Sequence, residues 1–299
     1  MHIAITGSSG LVGRTLTSFL GSRGYRVTRV VRGHPGEGEL TWDPSAGHLD
    51  VKPLCDCDAV VHLAGENIAD GRWSQAKKER IRQSRVESTR LLSSALAAAK
   101  TPPRVLVTAS AIGYYGDAGD RLLDEQAPAG DDFLAEVCRT WETASEPANV
   151  AGIRVVNLRI GVVLAREGGA LQKMLTPFRL GGGGRVGSGR QFWSWIAIDD
   201  LVGTVEHVLG REELSGPVNA VAPHPVTNLE FTKTLGKVLR RPTLFPLPAP
   251  VARLMLGEMA DALLLSSARV SSRRLEKSGY VFQFAELEPA LRYLLQEPS

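Results

Sequence analysis

The chain has 299 residues, 43% of them hydrophobic and 22% charged, with a net charge of +3. That composition predicts a soluble globular protein with one large α/β domain and a smaller second lobe, and the scattered basic residues exclude nucleic acid as an expected partner. No apolar run reaches the length of a membrane span, a glycine-rich turn close to residue 1 leaves no room for a signal peptide, and Cys55, Cys57 and Cys138 have neither disulfide nor zinc spacing, so a cytoplasmic, metal-free protein is expected.

Residues 2 to 6 read as a short buried strand. Gly7, Gly10 and Gly13 follow with the spacing G-x-x-G-x-x-G, and Leu11 to Arg23 carries helical periodicity up to Gly24. Strand, glycine turn and helix in that order predict a dinucleotide phosphate site, with the anion at the helix N-terminus. A second strand, Arg26 to Val31, ends at Arg32 with no acid beside it. An acid there would hold the ribose hydroxyls of NAD. A guanidinium suits the 2′-phosphate, so the expected cofactor is NADP(H).

Gly33 to Pro53 reads as a loop or a short hairpin. Asp58 to Leu63 is the next buried strand, ending in Ala64, Gly65 and Glu66, where a backbone can pass under a ribose. Ser74 to Lys100 is a long helix, basic on its outer face and ended by Pro102 and Pro103. Arg104 to Thr108 is a strand leading into Ser110, Tyr114 and Tyr115. Asp131 is a cap for a helix from about Asp132 to Asn149, and Ile153 to Leu158 is a further strand. Such alternation predicts a doubly wound parallel sheet with ligands at the carboxyl ends of its strands.

After Leu164 glycines bracket a helix around Leu171 to Arg179. The run Gly181 to Gly184, with Gly187 and Gly189, reads as a mobile loop carrying Arg185 and Arg190 as candidate anion contacts; it lacks the ending of a P-loop. Phe192 to Ile196 re-enters the core, and Asp199 or Asp200 caps a helix over Leu201 to Leu209. Pro217 to Ala220 is a short strand, and from Pro223 the chain is helical and punctuated by proline. The domain reading is therefore a cofactor-binding part over 1–165, with 190–222 returning to it, and a smaller, mostly helical substrate lobe over 166–189 and 223–299.

These motifs resemble the extended short-chain dehydrogenase/reductases, and among them the epimerase group described as SDR39U1-like or YfcH-like. The carriers are Thr6 to Gly13, Leu63 to Asn67, Arg159 to Leu164 and Phe192 to Leu201. Residues of about Leu247 to Leu295 resemble the DUF1731 domain appended in that group. The resemblance covers nearly the whole chain. It implies a Rossmann-like sheet and NADP(H) held by Thr6, Gly7, Ser8, Ser9, Gly10, Leu11, Val12, Gly13, Arg32, Leu63, Ala64, Gly65, Glu66, Arg85, Ser110 and Arg159. It implies no known substrate.

Catalysis in that superfamily uses Ser or Thr with a Y-x-x-x-K pair, whose lysine lowers the tyrosine pKa for proton transfer. Ser110 matches the serine. Aligned on Glu142, Leu134 falls at the tyrosine position and Cys138 at the lysine position, and the region holds no Y-x-x-x-K. Candidate catalytic residues are then Ser110, as a hydrogen-bond donor to substrate, with Tyr115 and Tyr114. Two readings follow: an NADP(H)-dependent oxidoreductase or epimerase acting on a small polar metabolite, or a non-catalytic NADP(H)-binding regulatory or scaffold protein. Expected partners are a small-molecule substrate and a second copy of the chain in a homodimer, with no membrane and no nucleic acid.

Overall fold

The computed structural model describes residues 1–296. The first half alternates strand and helix: β1 (His2–Thr6), α1 (Leu11–Ser22), β2 (Arg26–Val31), β3 (Leu40–Asp43), β4 (His48–Leu49), β5 (Ala59–His62), α2 (Gln75–Ala97) and β6 (Val105–Ala111). Then come β7 (Leu122–Leu123), α3 (Phe133–Thr143), α4 (Glu146–Val150), β8 (Arg154–Ile160), β9 (Val162–Leu164) and α5 (Gly169–Arg179). The remainder holds β10 (Phe192–Trp193), β11 (Trp195–Ala197), α6 (Ile198–Gly210), β12 (Gly216–Ala220), β13 (Val226–Thr227), α7 (Asn228–Leu239), α8 (Ala249–Leu256), α9 (Glu258–Ala260), β14 (Arg269–Val270), α10 (Arg273–Lys277) and α11 (Leu287–Leu295). The last three residues of the expected substrate lobe, 297–299, lie outside the described residues.

Eight strands form the main sheet in the order β12-β8-β6-β5-β1-β2-β3-β4, parallel except for the terminal β3–β4 pair. This is a Rossmann-like sheet, and its strands read as apolar runs because helices cover both faces. Side chains alternate between the faces. Ile3 and Ile5 of β1 meet Leu16 and Leu20 of α1 and Val202 and Val205 of α6. Ala4, between them, faces the other way, onto Leu92 and Leu96 of α2.

Of the two readings of the polar segment after β2, the structure shows the hairpin, and its first strand extends the main sheet. Several other local expectations are corrected. The helix expected over 132–149 is two helices, because Pro147 occupies the start of α4 and supplies no N–H to continue α3. Its cap is Asp132, whose carboxylate accepts from the Ala135 amide at 2.8 Å, and not Asp131. Ala197 is the N-cap of α6, so neither Asp199 nor Asp200 caps it. Asp200 is buried and accepts from the amides of Gln283 (2.7 Å) and Phe284 (2.9 Å), which ties the C-terminal segment to α6. The glycine-rich run is pinned rather than free: Leu247 donates to the Arg185 carbonyl at 2.8 Å, and Gly187 donates to the Leu247 carbonyl at 2.9 Å. A Cβ on Gly184 would meet the Phe245 carbonyl at 2.0 Å, which is why this crossing needs glycine.

No helix among the described residues is long and apolar enough to cross a membrane.

Candidate functional site

The turn between β1 and α1 passes very close to the end of β5. Gly7 has φ +68°, and a Cβ there would lie 2.6 Å from the Leu63 carbonyl carbon. A Cβ on Gly13 would lie 2.2 Å from the Gly7 carbonyl oxygen. Helix α1 starts at Gly10 with no side-chain cap and no acid in its first turn. Its first N–H groups are therefore left for an anion, with the helix dipole adding to the attraction.

A cavity of about 640 Å³ opens at this turn. Its floor is Gly7, Ser8, Ser9 and Gly10, one wall is Leu63 to Glu66, and Arg32 stands at the end of β2. The β3–β4 hairpin contributes Trp42 to Ser45. Helix α2 contributes Arg80, Gln83, Ser84, Glu87 and Ser88, a single stripe at helical spacing. The cavity has the size of a small-molecule site. Its glycine floor, uncapped helix start and basic strand end fit a dinucleotide.

Thr6, Leu11, Val12 and Gly13 do not line this cavity but stand behind it. Thr6 Oγ1 lies 2.7 Å from His62 Nδ1, and Leu11 packs beside Gly168 and Gly169. Arg85 supports the wall from beneath: it donates to the carbonyls of Glu66 (3.0 Å) and Ile81 (3.2 Å) and lies over the Trp141 ring.

Ser110 and Arg159 belong to a second group, built where β6 and β8 pair Ser110 with Arg159. Ser110 donates to Glu142 Oε1 at 2.7 Å. Arg159 grips the same carboxylate with two of its three nitrogens, Nε to Oε1 at 2.8 Å and Nη2 to Oε2 at 2.9 Å. Burial opposes the Arg159 charge, but Glu142 outweighs it and the net effect holds the guanidinium protonated. Ser110 is 3% and Arg159 2% exposed, and neither lines the cavity at the glycine turn.

Tyr115 is 3% exposed. Its hydroxyl donates to Asn219 Oδ1 at 2.6 Å and accepts from Arg159 at 3.0 Å. Burial pushes its pKa up to about 12. Both sides of this hydroxyl are committed, which leaves nothing for the proton-donor role expected of it. Tyr114 is half-buried, its ring centroid 3.4 Å from the Arg159 guanidinium carbon. Ser110 is corrected as well: its one hydrogen goes to Glu142, so toward a ligand it is an acceptor.

Leu134 and Cys138 lie on one buried face of α3, where a Cβ on Gly113 would meet Leu134 Cβ at 3.3 Å and Cys138 Sγ at 3.8 Å. Burial pushes the Cys138 thiol up to about 12, and Glu142 adds to the effect. Glu142 is one turn further along that face. It is not among the residues expected from the sequence, although an acid one turn beyond Cys138 on a buried helix face is a readable signal.

A family model for the NAD dependent epimerase/dehydratase family matches residues 3–220, and the DUF1731 domain of unknown function matches 247–294. An epimerase family protein of Mycobacterium bovis is 45% identical over 298 residues, covering 99% of this chain and 98% of that protein. The human epimerase family protein SDR39U1 is 40% identical, covering 99% of this chain and all of its own. The crystal structure of that human protein (isoform 2) with NADPH superposes with a TM-score of 0.90 at 39% identity, covering 98% of this chain and 99% of that one.

Proposed function

The chain belongs to the NAD-dependent epimerase/dehydratase family and carries its DUF1731 domain, and from that premise we propose that it binds NADP(H) and acts as an oxidoreductase or epimerase-like enzyme on a small polar metabolite. The observation that carries the reading is Arg32 in the cavity at the end of β2, with no acid at that strand end. NADPH in the human relative supports it.

In this reading the first-turn N–H groups of α1 and the backbone of Ser8 and Ser9 hold the pyrophosphate. Arg32 holds the 2′-phosphate through its planar fork. Glu66 and the carbonyls near it offer acceptors to a ribose. Bound NADP(H) supplies hydride exchange. Ser110, with its hydrogen on Glu142, accepts a hydrogen bond from a ligand hydroxyl and orients it. Tyr114 is the phenol left to move a proton. Residues 1–165 and 190–222 bind the cofactor, while 166–189 and 223 onward form the substrate lobe.

A second reading, a non-catalytic NADP(H)-binding regulator or scaffold, is favoured by Leu134 and Cys138 at the positions of the superfamily's proton-transfer pair. The two are separated by following NADPH oxidation across a range of carbonyl metabolites and nucleotide sugars. Turnover that Ser110→Ala or Tyr114→Phe abolishes while NADPH still binds supports the enzyme. NADPH binding without turnover on any compound moves the conclusion to the regulator.

A further inference from the structure

We propose that Arg80 of α2 is the second cation on the cofactor's 2′-phosphate, and that the buried Lys77 keeps it free for that task. This rests on the NADP(H) reading of the cavity. A phosphate monoester carries close to two negative charges at neutral pH. One exposed guanidinium in water attracts such a group only weakly, because the solvent screens the pair. Strong selection for the phosphorylated cofactor therefore asks for a second cation.

The charged side chains lining the cavity are Arg32, Asp43, Glu66, Arg80 and Glu87. Asp43 is turned onto its own hairpin, where Oδ1 accepts from the Ser45 hydroxyl (2.5 Å) and amide (3.0 Å) and from the Ala46 amide (3.2 Å). The nearby basic residues outside the lining are occupied. Arg29 is paired with Glu39 at 2.6 Å, and Arg14 donates to the Ser9 carbonyl at 3.0 Å. Arg80 is the other cation in the lining, and its one partner there is Glu66, 3.7 Å away.

Its natural competitor is Glu66. Lys77, one turn earlier on α2, takes that carboxylate first: its Nζ lies 2.7 Å from Oε1, whereas Arg80 Nε stays 3.7 Å from the same oxygen. The Lys77 hydrogen bond is the largest cause holding Glu66 below the usual carboxylate range. The Lys77 side chain is 8% exposed and fixed, and that of Arg80 is 58% exposed and able to turn onto a ligand. Glu87 lies seven residues on, roughly 10 Å along the helix axis, too far to claim Arg80.

The test titrates NADPH and NADH into the full-length protein and its Arg32→Ala, Arg80→Ala, Arg80→Lys and Lys77→Met variants. Arg80→Ala is expected to weaken NADPH about tenfold and to leave NADH within about twofold, with Arg80→Lys in between. Lys77→Met, which hands Glu66 to Arg80, is expected to weaken NADPH in the same selective way. Equal weakening of both nucleotides by Arg80→Ala, or no change in either, overturns the inference. If Arg32→Ala is selective and Arg80→Ala is not, the cavity reading stands and the role of Arg80 falls. If the unmodified protein binds neither nucleotide, both fall.

Discussion

Ser110 donates its hydroxyl hydrogen to Glu142 Oε1 at 2.7 Å, an oxygen that also takes Arg159 Nε at 2.8 Å. The relationship joins the end of β6 to the last turn of α3 and fixes which way the serine points. An alcohol or amine placed beside Ser110 meets a lone pair, whereas a carbonyl oxygen meets no free hydrogen. Among matched alcohol and ketone ligands tested with the nucleotide bound, the alcohol of each pair should bind more tightly, and Ser110→Ala should narrow the gap.

Breaking the buried ion pair should be costly. The Arg159 and Glu142 side chains are 3% and 13% exposed, so Arg159→Met strands a carboxylate and should destabilise the fold by ~3–5 kcal/mol. Adding Glu142→Gln should recover part of that loss. Denaturant unfolding of the two single variants and the double variant measures both effects, and additive losses would contradict the pairing.

His62 should make the fold sensitive to acid. Ser88 donates its hydroxyl hydrogen to the Ser84 carbonyl, so it accepts from His62 Nε2, and Thr6 donates to Nδ1. The ring is thus held neutral, and burial lowers its pKa from 6.5 to about 4. The unfolded chain binds the proton more readily, so stability is complete above about pH 6.5 and falls as pH drops toward 4, by roughly 3 kcal/mol in all. In His62→Gln that part of the pH profile should flatten, as read from urea midpoints at pH 4, 5, 6 and 7.

The cysteines should differ in reactivity. Burial pushes Cys57 up to about 11 and Cys138 up to about 12, so both stay thiols near neutral pH, while Cys55 is half-exposed. Iodoacetamide at pH 8 should label Cys55 first in the folded protein, as peptide mass spectrometry would read. Fast labelling of Cys138 would contradict its burial.

Two glycines of α1 should respond in opposite directions. A Cβ at Gly13 strikes backbone at 2.2 Å, so Gly13→Ala should lower Tm by several degrees and weaken NADPH. Nothing lies within 4 Å of a Cβ at Gly21, and Gly21→Ala should stabilise by about 0.5–1 kcal/mol.

The cradle was legible because its causes are local. The bounds of β1 and β2, the glycine spacing and the arginine closing β2 all follow from short-range sterics and periodicity. What escaped depends on register between distant strands. Glu142 becomes a partner of Ser110 and Arg159 only when β6 and β8 align at that rung. Arg80 enters the cavity only once α2 lies over the end of β5, and a basic helix face looks the same in sequence whether it meets solvent or a ligand. The glycine-rich run read as free because its anchor, Leu247, is some sixty residues away.

The central claim is tested most directly by titrating NADPH and NADH separately into the purified protein and into Arg32→Glu. The account predicts tighter binding of NADPH than of NADH, and loss of that preference in the variant with NADH little changed. Equal affinity for the two nucleotides in the unmodified protein, or equal weakening of both by Arg32→Glu, would contradict it.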